Sequence, residues 1–332
     1  MRGAQPFAAL VRRLLASALL IACCTCVGEP AQAETYPGRA VRIVVPFPAG
    51  GTADAVPRLV ADALSRKWGQ PVIIENRTGA AGNLGAEYAY RAAPDGYTLL
   101  SSPPPPLVIN QNLYPKLGFD PAQFEAIVVM AHVPNALFVN PNTIKAASVA
   151  ELIDYLRQNP DKVTAATQGA GTTSDLTAAL FELIAKVKLR HIPYRGSAPA
   201  LQGLLAGDCD LMFDNLGVSL PLVRDGKLRL LAVASAQRLP SLPDMPTLAE
   251  SLPGFEAVAW YAIVAPPKTP RAIIDRINAD TNKALRQGEL RDRLKSLSAE
   301  IFGGSVDETR RYMRAEVDRW NTVIKAAGVK LE

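Results

Sequence analysis

Short, almost unbroken apolar segments alternate with amphipathic helical segments along nearly the whole chain. The predicted strands are residues 41–46, 72–75, 97–101, 126–130, 136–140, 163–167, 189–193, 209–214, 228–234 and 259–264. Unbroken apolar runs are typical of strands that are covered on both faces. Because helical segments separate these strands, the pattern predicts an α/β fold with mainly parallel sheets flanked by helices.

The first 33 residues have the composition of an export signal. Arg2 and Arg12 give a basic start, residues 14–26 are apolar, and a small-x-small pattern ends at Ala33. We predict cleavage after Ala33 and a mature chain in the periplasm. A small residue before Cys23 leaves open the alternative of a lipid anchor at that cysteine. The apolar stretch is shorter than the about 20 residues that cross a bilayer.

The predicted helices show where they begin and which face they bury. Val56, Val60 and Leu64 recur at helical spacing and define one apolar face. Residues 148–151 and 305–308 have the pattern of a capping box, which marks a helix start. The four prolines at 103–106 predict a rigid, extended connector. The roughly 300 residues after the leader exceed the usual size of one core, so two domains are predicted.

Composition excludes several classes of function. Three of the four cysteines lie in the leader, so cleavage leaves Cys209 without a partner for an internal disulfide or a cysteine-based metal site. The net charge of +5 is mild, and no run of Lys and Arg is interleaved with aromatic residues. We therefore expect no nucleic-acid partner. The chain has two histidines and no metal-binding spacing, so we predict neither a metal nor a cofactor.

Two glycine-containing turns, at 45–54 and 167–175, each lead from a strand end into a helix start. Glycine lets the backbone approach a ligand closely. The helix start presents free N–H groups and a partial positive charge, which suit a carboxylate or a phosphate. Either turn alone is equally compatible with an ordinary connection. Two such turns in different halves of the chain predict a cleft in which an anion is held from both sides.

The sequence gives little support to an enzyme. It has no Gly-x-Ser-x-Gly motif and no P-loop, because no Gly-Lys-Ser/Thr follows either turn. A hydrolase that uses Ser174 and His191 remains a less favoured alternative, since it requires assembly over long range. His191 is predicted to be a structural histidine in a strand. We predict that the chain is not an enzyme and has no catalytic residues.

One ordered set of motifs resembles the Bug receptors, which are the extracytoplasmic solute receptors of tripartite tricarboxylate transporters. It begins with Tyr-Pro and the Val-Arg-Ile-Val-Val-Pro-Phe-Pro-Ala-Gly-Gly string within 36–51, followed by Asp54. Further markers lie at 75–77, 93–99, 133–134, 191–196, 210–214, 239–250 and 260–261. The resemblance covers essentially the whole mature chain.

This resemblance implies a type II periplasmic binding protein with two lobes. Lobe 1 would comprise 34–134 plus 259–332, and lobe 2 would comprise 135–258, with the ligand between them. The predicted ligand-binding residues are Phe47, Ala49, Gly50, Gly51, Thr52, Asp54, Ser102, Gln168, Gly169, Gly171, Thr172, Thr173, Tyr194 and Asp214.

The same resemblance implies the partners. The ligand would be a small organic acid, with mono- and dicarboxylates, aromatic acids and amino acids left open. A monomeric receptor would deliver it to membrane transporter subunits, and the alternative partner is a sensor kinase. The sequence departs from the family pattern at three places, since Gln168 replaces a serine, Asp175 replaces a histidine and 103–106 replaces a polar stretch.

Overall fold

The computed structural model describes residues 36–328, and those from Arg39 onward form one compact unit. The predicted leader, with its cleavage site at Ala33 and the alternative anchor at Cys23, lies outside the described residues. The strands are β1 Val41–Val45, β2 Val72–Asn76, β3 Thr98–Ser102, β4 Glu125–Val139, β5 Thr164–Thr167, β6 Arg190–Pro193, β7 Leu211–Asn215, β8 Arg229–Val233, β9 Val258–Ala265 and β10 Glu300–Gly303. The α-helices are α1 Thr52–Trp68, α2 Asn83–Tyr90, α3 Val149–Gln158, α4 Thr173–Ala185, α5 Ser197–Ala206, α6 Leu216–Arg224, α7 Leu248–Ser251, α8 Arg271–Leu285, α9 Gly288–Ser296 and α10 Val306–Ala327.

Two sheets share the long strand β4. The amino-terminal part of β4 pairs with β9 and β10, in a sheet ordered β2-β1-β3-β9-β4-β10. Its carboxyl-terminal part pairs with β7 and β8, in a sheet ordered β8-β4-β7-β5-β6. The partner changes between Pro134, which lies opposite Val258, and Asn135, which lies opposite Asn215. This change falls at the predicted boundary between the two lobes.

The pairing directions follow the predicted alternation of strand and helix. Strand β1 pairs in parallel with β2 and β3, and β5 pairs in parallel with β6 and β7. Pairs that involve β4 and β9 are antiparallel. The predicted α/β fold is confirmed. Because successive parallel strands run in one direction, their carboxyl ends meet at one edge of each sheet.

The sheet formed by β4 to β8 is covered on both faces. Alternate residues of a strand point to opposite faces, so Leu137 and Phe213 pack into one apolar cluster with α3 and α4. Phe138 and Met212 pack into a second cluster with α5 and α6. Burial of both faces explains why these strands are unbroken apolar runs in the sequence.

Two predictions about individual elements are wrong, and one strand was missed. The segments 126–130 and 136–140 form one strand, because β4 continues through the polar and proline positions at which it passes from one sheet to the other. Strand β10 was not predicted, since only Gly303 of its four residues is buried and the apolar signal is weak. Residues 104–109 form a helical turn and not an extended connector. Proline is tolerated there because the first N–H groups of a helix have no partner within it.

The helices confirm the predicted faces and start signals. Val56, Val60 and Leu64 of α1 are completely buried. Ser305 and Glu308 form the reciprocal capping box at the start of α10. None of the helices within 36–328 has the length and hydropathy that are needed to cross a membrane.

Candidate ligand-binding site

Two adjoining cavities lie at the carboxyl ends of strands from both sheets. The inner cavity has a volume of about 20 Å³, and the outer cavity has a volume of about 420 Å³. Both are lined by Phe47 and Pro48, which follow β1, by Gln168 and Thr172, which follow β5, and by Gly196, which follows β6. The first predicted turn and the second predicted turn therefore meet at one site.

The inner cavity is surrounded by helix starts. Thr52 and Ala53 begin α1, Thr173 begins α4, Ser197 begins α5, and Asn215 precedes α6. The backbone N–H groups of Thr52, Ala53, Thr173 and Ser197 have no hydrogen-bond partner among residues 36–328. Such free N–H groups and the positive ends of four helix dipoles favour a negative charge. No charged side chain of the described residues lines this cavity.

The Thr52 side chain adds an unsatisfied polar atom to the same wall. Thr52 is 2% exposed, and its hydroxyl oxygen makes no hydrogen bond of good geometry in the described part of the chain, although a weak contact with the Tyr261 hydroxyl slightly opposes the rise in the pKa of Tyr261. The Thr52 side chain lies beside the Tyr261 hydroxyl, which donates to Asn215 Oδ1 at 2.6 Å. Burial, with the nearby Asp214 carboxylate, raises the pKa of Tyr261, so this hydroxyl keeps its proton. A buried hydroxyl without a partner marks a position where a ligand or a bridging water would be stabilised.

The first turn contacts the segment before α5 across the site. A Cβ atom at Gly51 would lie 3.3 Å from Cβ of Ser197, and one at Gly196 would lie 2.9 Å from the Pro48 ring. Gly196 also has a φ of 107°, which side-chain-bearing residues rarely adopt. Gly196 therefore excludes a side chain, and a side chain at Gly51 is accommodated only if Ser197 moves by a few tenths of an ångström.

Asp54 lies behind the first turn and lines neither cavity. Its carboxylate accepts hydrogen bonds from Arg58 Nε and Asn76 Nδ2, both at 2.8 Å, and from the Gly50 N–H at 3.4 Å. Burial opposes ionisation of Asp54, but these hydrogen bonds outweigh it and lower the pKa of the carboxyl below its usual value. The ionised Asp54 therefore fixes the shape of the turn that Gly51 and Thr52 present to the cavity.

The second turn is held by its own side chains. The Thr172 hydroxyl donates to the Gly169 carbonyl at 2.7 Å and accepts from the Asp175 N–H at 3.4 Å. Asp175 Oδ2 in turn accepts from the Gly171 N–H at 2.9 Å. Gly169 and Gly171 have φ values of 128° and 76°, so both use the conformational freedom of glycine.

Asp214 is fully buried below the inner cavity and lines neither cavity. Its carboxylate accepts from Gln168 Nε2, from the Asn215 N–H at 2.8 Å, and from the hydroxyls of Ser197 and Ser219 at 2.7 and 3.0 Å. Complete burial raises the pKa of Asp214 to about 6, against these hydrogen bonds, which lower it. Asp214 links the second turn to the starts of α5 and α6, and the second N–H of Gln168 Nε2 is left for a ligand.

His191 has a structural partner on each ring nitrogen. Nδ1 lies 2.7 Å from Asp175 Oδ1, and Nε2 lies 3.0 Å from Glu182 Oε2. Burial alone would lower the pKa of His191, but the two carboxylates stabilise the imidazolium and raise it to about 9. Asp175 therefore has a structural role, because one oxygen pairs with His191 and the other holds Gly171.

This ion triad predicts how stability depends on pH. The folded-state pKa of His191, about 9, lies above its unfolded value of 6.5, so its contribution is complete below pH 6.5 and is lost as pH rises through 9. We expect His191→Gln to lower the free energy of unfolding by about 2 kcal/mol at pH 6, and by much less at about pH 9.5. Urea denaturation of both proteins at the two pH values measures this. An equal difference at both values would contradict the expectation.

The predicted residues divide into three groups. Those that line a cavity are Phe47, Gly51, Thr52, Gln168, Gly169, Thr172, Thr173 and Tyr194. Those that lie behind the cavity wall are Asp54, Ser102, Gly171 and Asp214. Ala49 and Gly50 are exposed and line neither cavity. The Tyr194 hydroxyl lies 3.5 Å from Cys209 Sγ, and this hydrogen bond, with burial, raises the pKa of Tyr194 to about 12.

Several lining residues were not predicted. They are Pro46, Pro48, Ala53, Thr78, Gly79, Ala80, Ala81, Gly82, Pro103, Pro105, Ala170, Arg195, Gly196, Ser197, Asn215 and Tyr261. Gly196 followed by Ser197 has the same design as the two turns, with a strand end, a glycine and a helix start. That pattern could have identified Gly196 and Ser197 as lining residues. No group of three or more His, Cys, Asp or Glu residues within 36–328 is placed to hold a metal ion.

The fold is that of the periplasmic binding proteins. The solved structure of the periplasmic binding protein BugD is similar, with a TM-score of 0.84 and 34% identity over 90% of this chain and 100% of that one. The solved structure of R. palustris Rpa4515 with adipate has a TM-score of 0.86 and 39% identity, covering 89% of this chain and 99% of that one.

The chain belongs to the tripartite tricarboxylate transporter family receptors, TctC, whose family model matches residues 56–329. It is 34% identical over 323 residues to the protein BugT of Bordetella pertussis strain Tohama I, covering 96% of this chain and 99% of that one. The resemblance to the Bug receptors is confirmed.

Proposed function

We propose that this chain is a periplasmic receptor that binds a small organic carboxylate between two lobes and delivers it to a tripartite tricarboxylate-type transporter. One observation carries the proposal, namely that four helix starts and an unpartnered Thr52 hydroxyl surround a cavity without charged side chains. Family relatives support it, because Rpa4515 has been solved with adipate. Binding through backbone N–H groups suits a carboxylate, whose charge the helix dipoles stabilise.

The carboxylate lies at the boundary between the two cavities. The inner cavity, at about 20 Å³, holds about one water molecule and is too small for a carboxylate group. At the boundary, Gln168 and Thr172 line both cavities, and the field of the helix starts reaches the ligand. A water in the inner cavity would form a hydrogen-bonded bridge between the Thr52 hydroxyl and the ligand.

Closure of the lobes follows from a higher affinity of the ligand for the closed arrangement than for the open one. The first turn belongs to the proposed lobe 1 of 34–134 plus 259–332, and the second turn belongs to the proposed lobe 2 of 135–258. A ligand that contacts both turns binds the closed arrangement more tightly than the open one and shifts the population toward it. The transporter then recognises the closed surface of the monomeric receptor. Ligand leaves chemically unchanged, so the chain is not an enzyme.

A binding screen tests this proposal. We expect adipate, or another small carboxylate of a panel of mono- and dicarboxylates, aromatic acids and amino acids, to raise the melting temperature in a thermal-shift assay. Calorimetry then gives the affinity, and recovery of unchanged ligand excludes turnover. If no carboxylate of the panel binds while neutral solutes do, the proposal is wrong.

The alternative partner, a sensor kinase, would use the same binding site. Uptake of labelled ligand in a strain that lacks the receptor gene separates the two roles. Lost uptake supports transport, whereas normal uptake with lost ligand-dependent gene induction supports sensing.

A further inference from the structure

The wall of the outer cavity combines apolar residues with a few polar side chains, among them Thr78 and Gln168, and carries one cation. Its apolar residues include Pro46, Phe47, Ala80 and Ala170. Arg195 is the single charged side chain among the described residues that line it. A volume of about 420 Å³ lies within the range of small-ligand sites. The cavity therefore offers room for a hydrocarbon segment and a counter-charge for an anion.

Arg195 has a fixed backbone and a free side chain. Its neighbours are held by hydrogen bonds from the Tyr194 N–H to the Thr167 carbonyl at 2.9 Å and from the Gly196 N–H to the Gln168 carbonyl at 3.1 Å. The Arg195 side chain is exposed and forms no ion pair or hydrogen bond with any residue in the described range. A guanidinium group on a rigid turn, with its donors unused, is suited to bidentate binding of a carboxylate.

We infer that Arg195 binds the second anionic group of an elongated dianion, whose first carboxylate lies at the boundary of the inner cavity. This inference rests on the proposed function. The two ends of the site use different chemistry, since the inner end uses the field of the helix starts and a bridging water, and the outer end uses a side-chain cation. Arg195 thus determines the preference for a dianion over a monoanion of the same length, and the apolar wall between the ends favours a hydrocarbon spacer.

Matched acids test the inference. Three pairs differ only in the distal group: succinate with butanoate, adipate with hexanoate, and terephthalate with 4-methylbenzoate. We expect wild type to bind at least one dianion about tenfold or more tightly than its partner, and Arg195→Gln to lose most of that preference. Affinity for the monoanion should change by less than about twofold. Arg195→Lys should retain part of the preference, because the charge remains without the planar fork.

Arg190→Gln is the matched control. Arg190 is an exposed arginine at the start of β6 that lines neither cavity. Its replacement changes the net charge by the same amount as Arg195→Gln. We expect Arg190→Gln to bind the dianion and the monoanion within about twofold of the wild-type affinities.

The outcomes separate the inference from the function on which it rests. If Arg195→Gln weakens dianion and monoanion equally, or leaves the preference unchanged, the inference is wrong and the carboxylate site stands. The same holds if wild type binds every monoanion as tightly as its dianion. If wild type binds none of the six acids but binds another carboxylate of the wider panel, the inference is wrong and the carboxylate site stands. If no carboxylate of the wider panel binds while neutral solutes do, the proposed function fails, and the inference fails with it.

Discussion

Gly51→Val should weaken ligand binding by at least about 100-fold, which is about 2.7 kcal/mol, while the protein still folds. Even the Cβ atom of a larger residue would lie 3.3 Å from Cβ of Ser197, and the two methyl groups of valine would extend further into the contact. The valine would hold the first turn away from the start of α5. Ligand could then no longer touch both sides of the cleft at once.

The fold should survive because the backbone at Gly51 is ordinary. Its φ of −93° and ψ of 172° are accessible to every residue, so valine meets no backbone strain. Gly51 caps α1 without a side-chain hydrogen bond, and replacing it should cost about 1 kcal/mol of stability. The melting temperature of the ligand-free variant should therefore fall by only a few degrees.

Calorimetric titration with the acid selected by the binding screen measures the effect of Gly51→Val. Gly288→Val is the matched control, since a Cβ there would meet nothing within 4 Å, and its affinity should equal that of wild type. Gly51→Ala should lie between valine and wild type. If Gly51→Val retains wild-type affinity, the contact between the turn and Ser197 is not part of the bound state.

Sequence patterns predict which segments approach the ligand better than which side chains do. Both glycine turns contribute to the cavities, because a strand end followed by glycine and a helix start constrains the backbone strongly. Within the first turn, however, Gly51 lines the inner cavity whereas Ala49 and Gly50 face outward. That difference depends on how the turn meets Ser197, which is distant in sequence.

The acidic residues show a second limit of sequence reasoning. Asp54 and Asp214 follow the predicted turns or strands closely, so they resemble ligand-binding residues in the sequence. In the structure Asp214 accepts hydrogen bonds from Gln168 and Ser197, which line the cavities, whereas Asp54 accepts from Asn76, which lies behind the wall. The local sequence does not distinguish a carboxylate that supports the backbone of a binding site from one that lines the site. Only their tertiary hydrogen-bond partners distinguish them.

The same limit applies to the fold itself. The α/β class follows from local periodicity, but the continuation of β4 through Pro134 depends on two different sets of partner strands. Those partners lie up to about half the chain away, and no local pattern records them.

Gln168→Glu should abolish carboxylate binding and destabilise the protein above neutral pH. The new carboxyl group would replace the amide that donates to Asp214 Oδ1, so a second, half-buried carboxylate would face the fully buried Asp214. The same group would line both cavities and repel the anionic ligand. We expect affinity for the selected acid to fall by at least about 100-fold at pH 7.5.

The pH dependence identifies the cause of the destabilisation. The folded-state pKa of Asp214, about 6, already lies above its ordinary value of 3.8, so the folded protein binds more protons than the unfolded chain between these values. Stability therefore falls as pH rises through this range. A second carboxyl group raises the pKa of the pair further, and the loss extends to higher pH. Gln168→Glu should be about 2 to 3 kcal/mol less stable than wild type at pH 7.5, and should recover part of this difference at about pH 5.

Gln123→Glu provides the matched control, because Gln123 also donates its amide to an aspartate, Asp120 Oδ2, at 2.9 Å, but on the exposed surface. Water screens a carboxylate pair there, so this variant should keep wild-type affinity and lose less than about 1 kcal/mol at either pH. Urea denaturation at the two pH values and calorimetry at pH 7.5 provide the comparison. If Gln168→Glu behaves like Gln123→Glu, then the Gln168 amide does not stabilise the Asp214 carboxylate and does not contact the ligand.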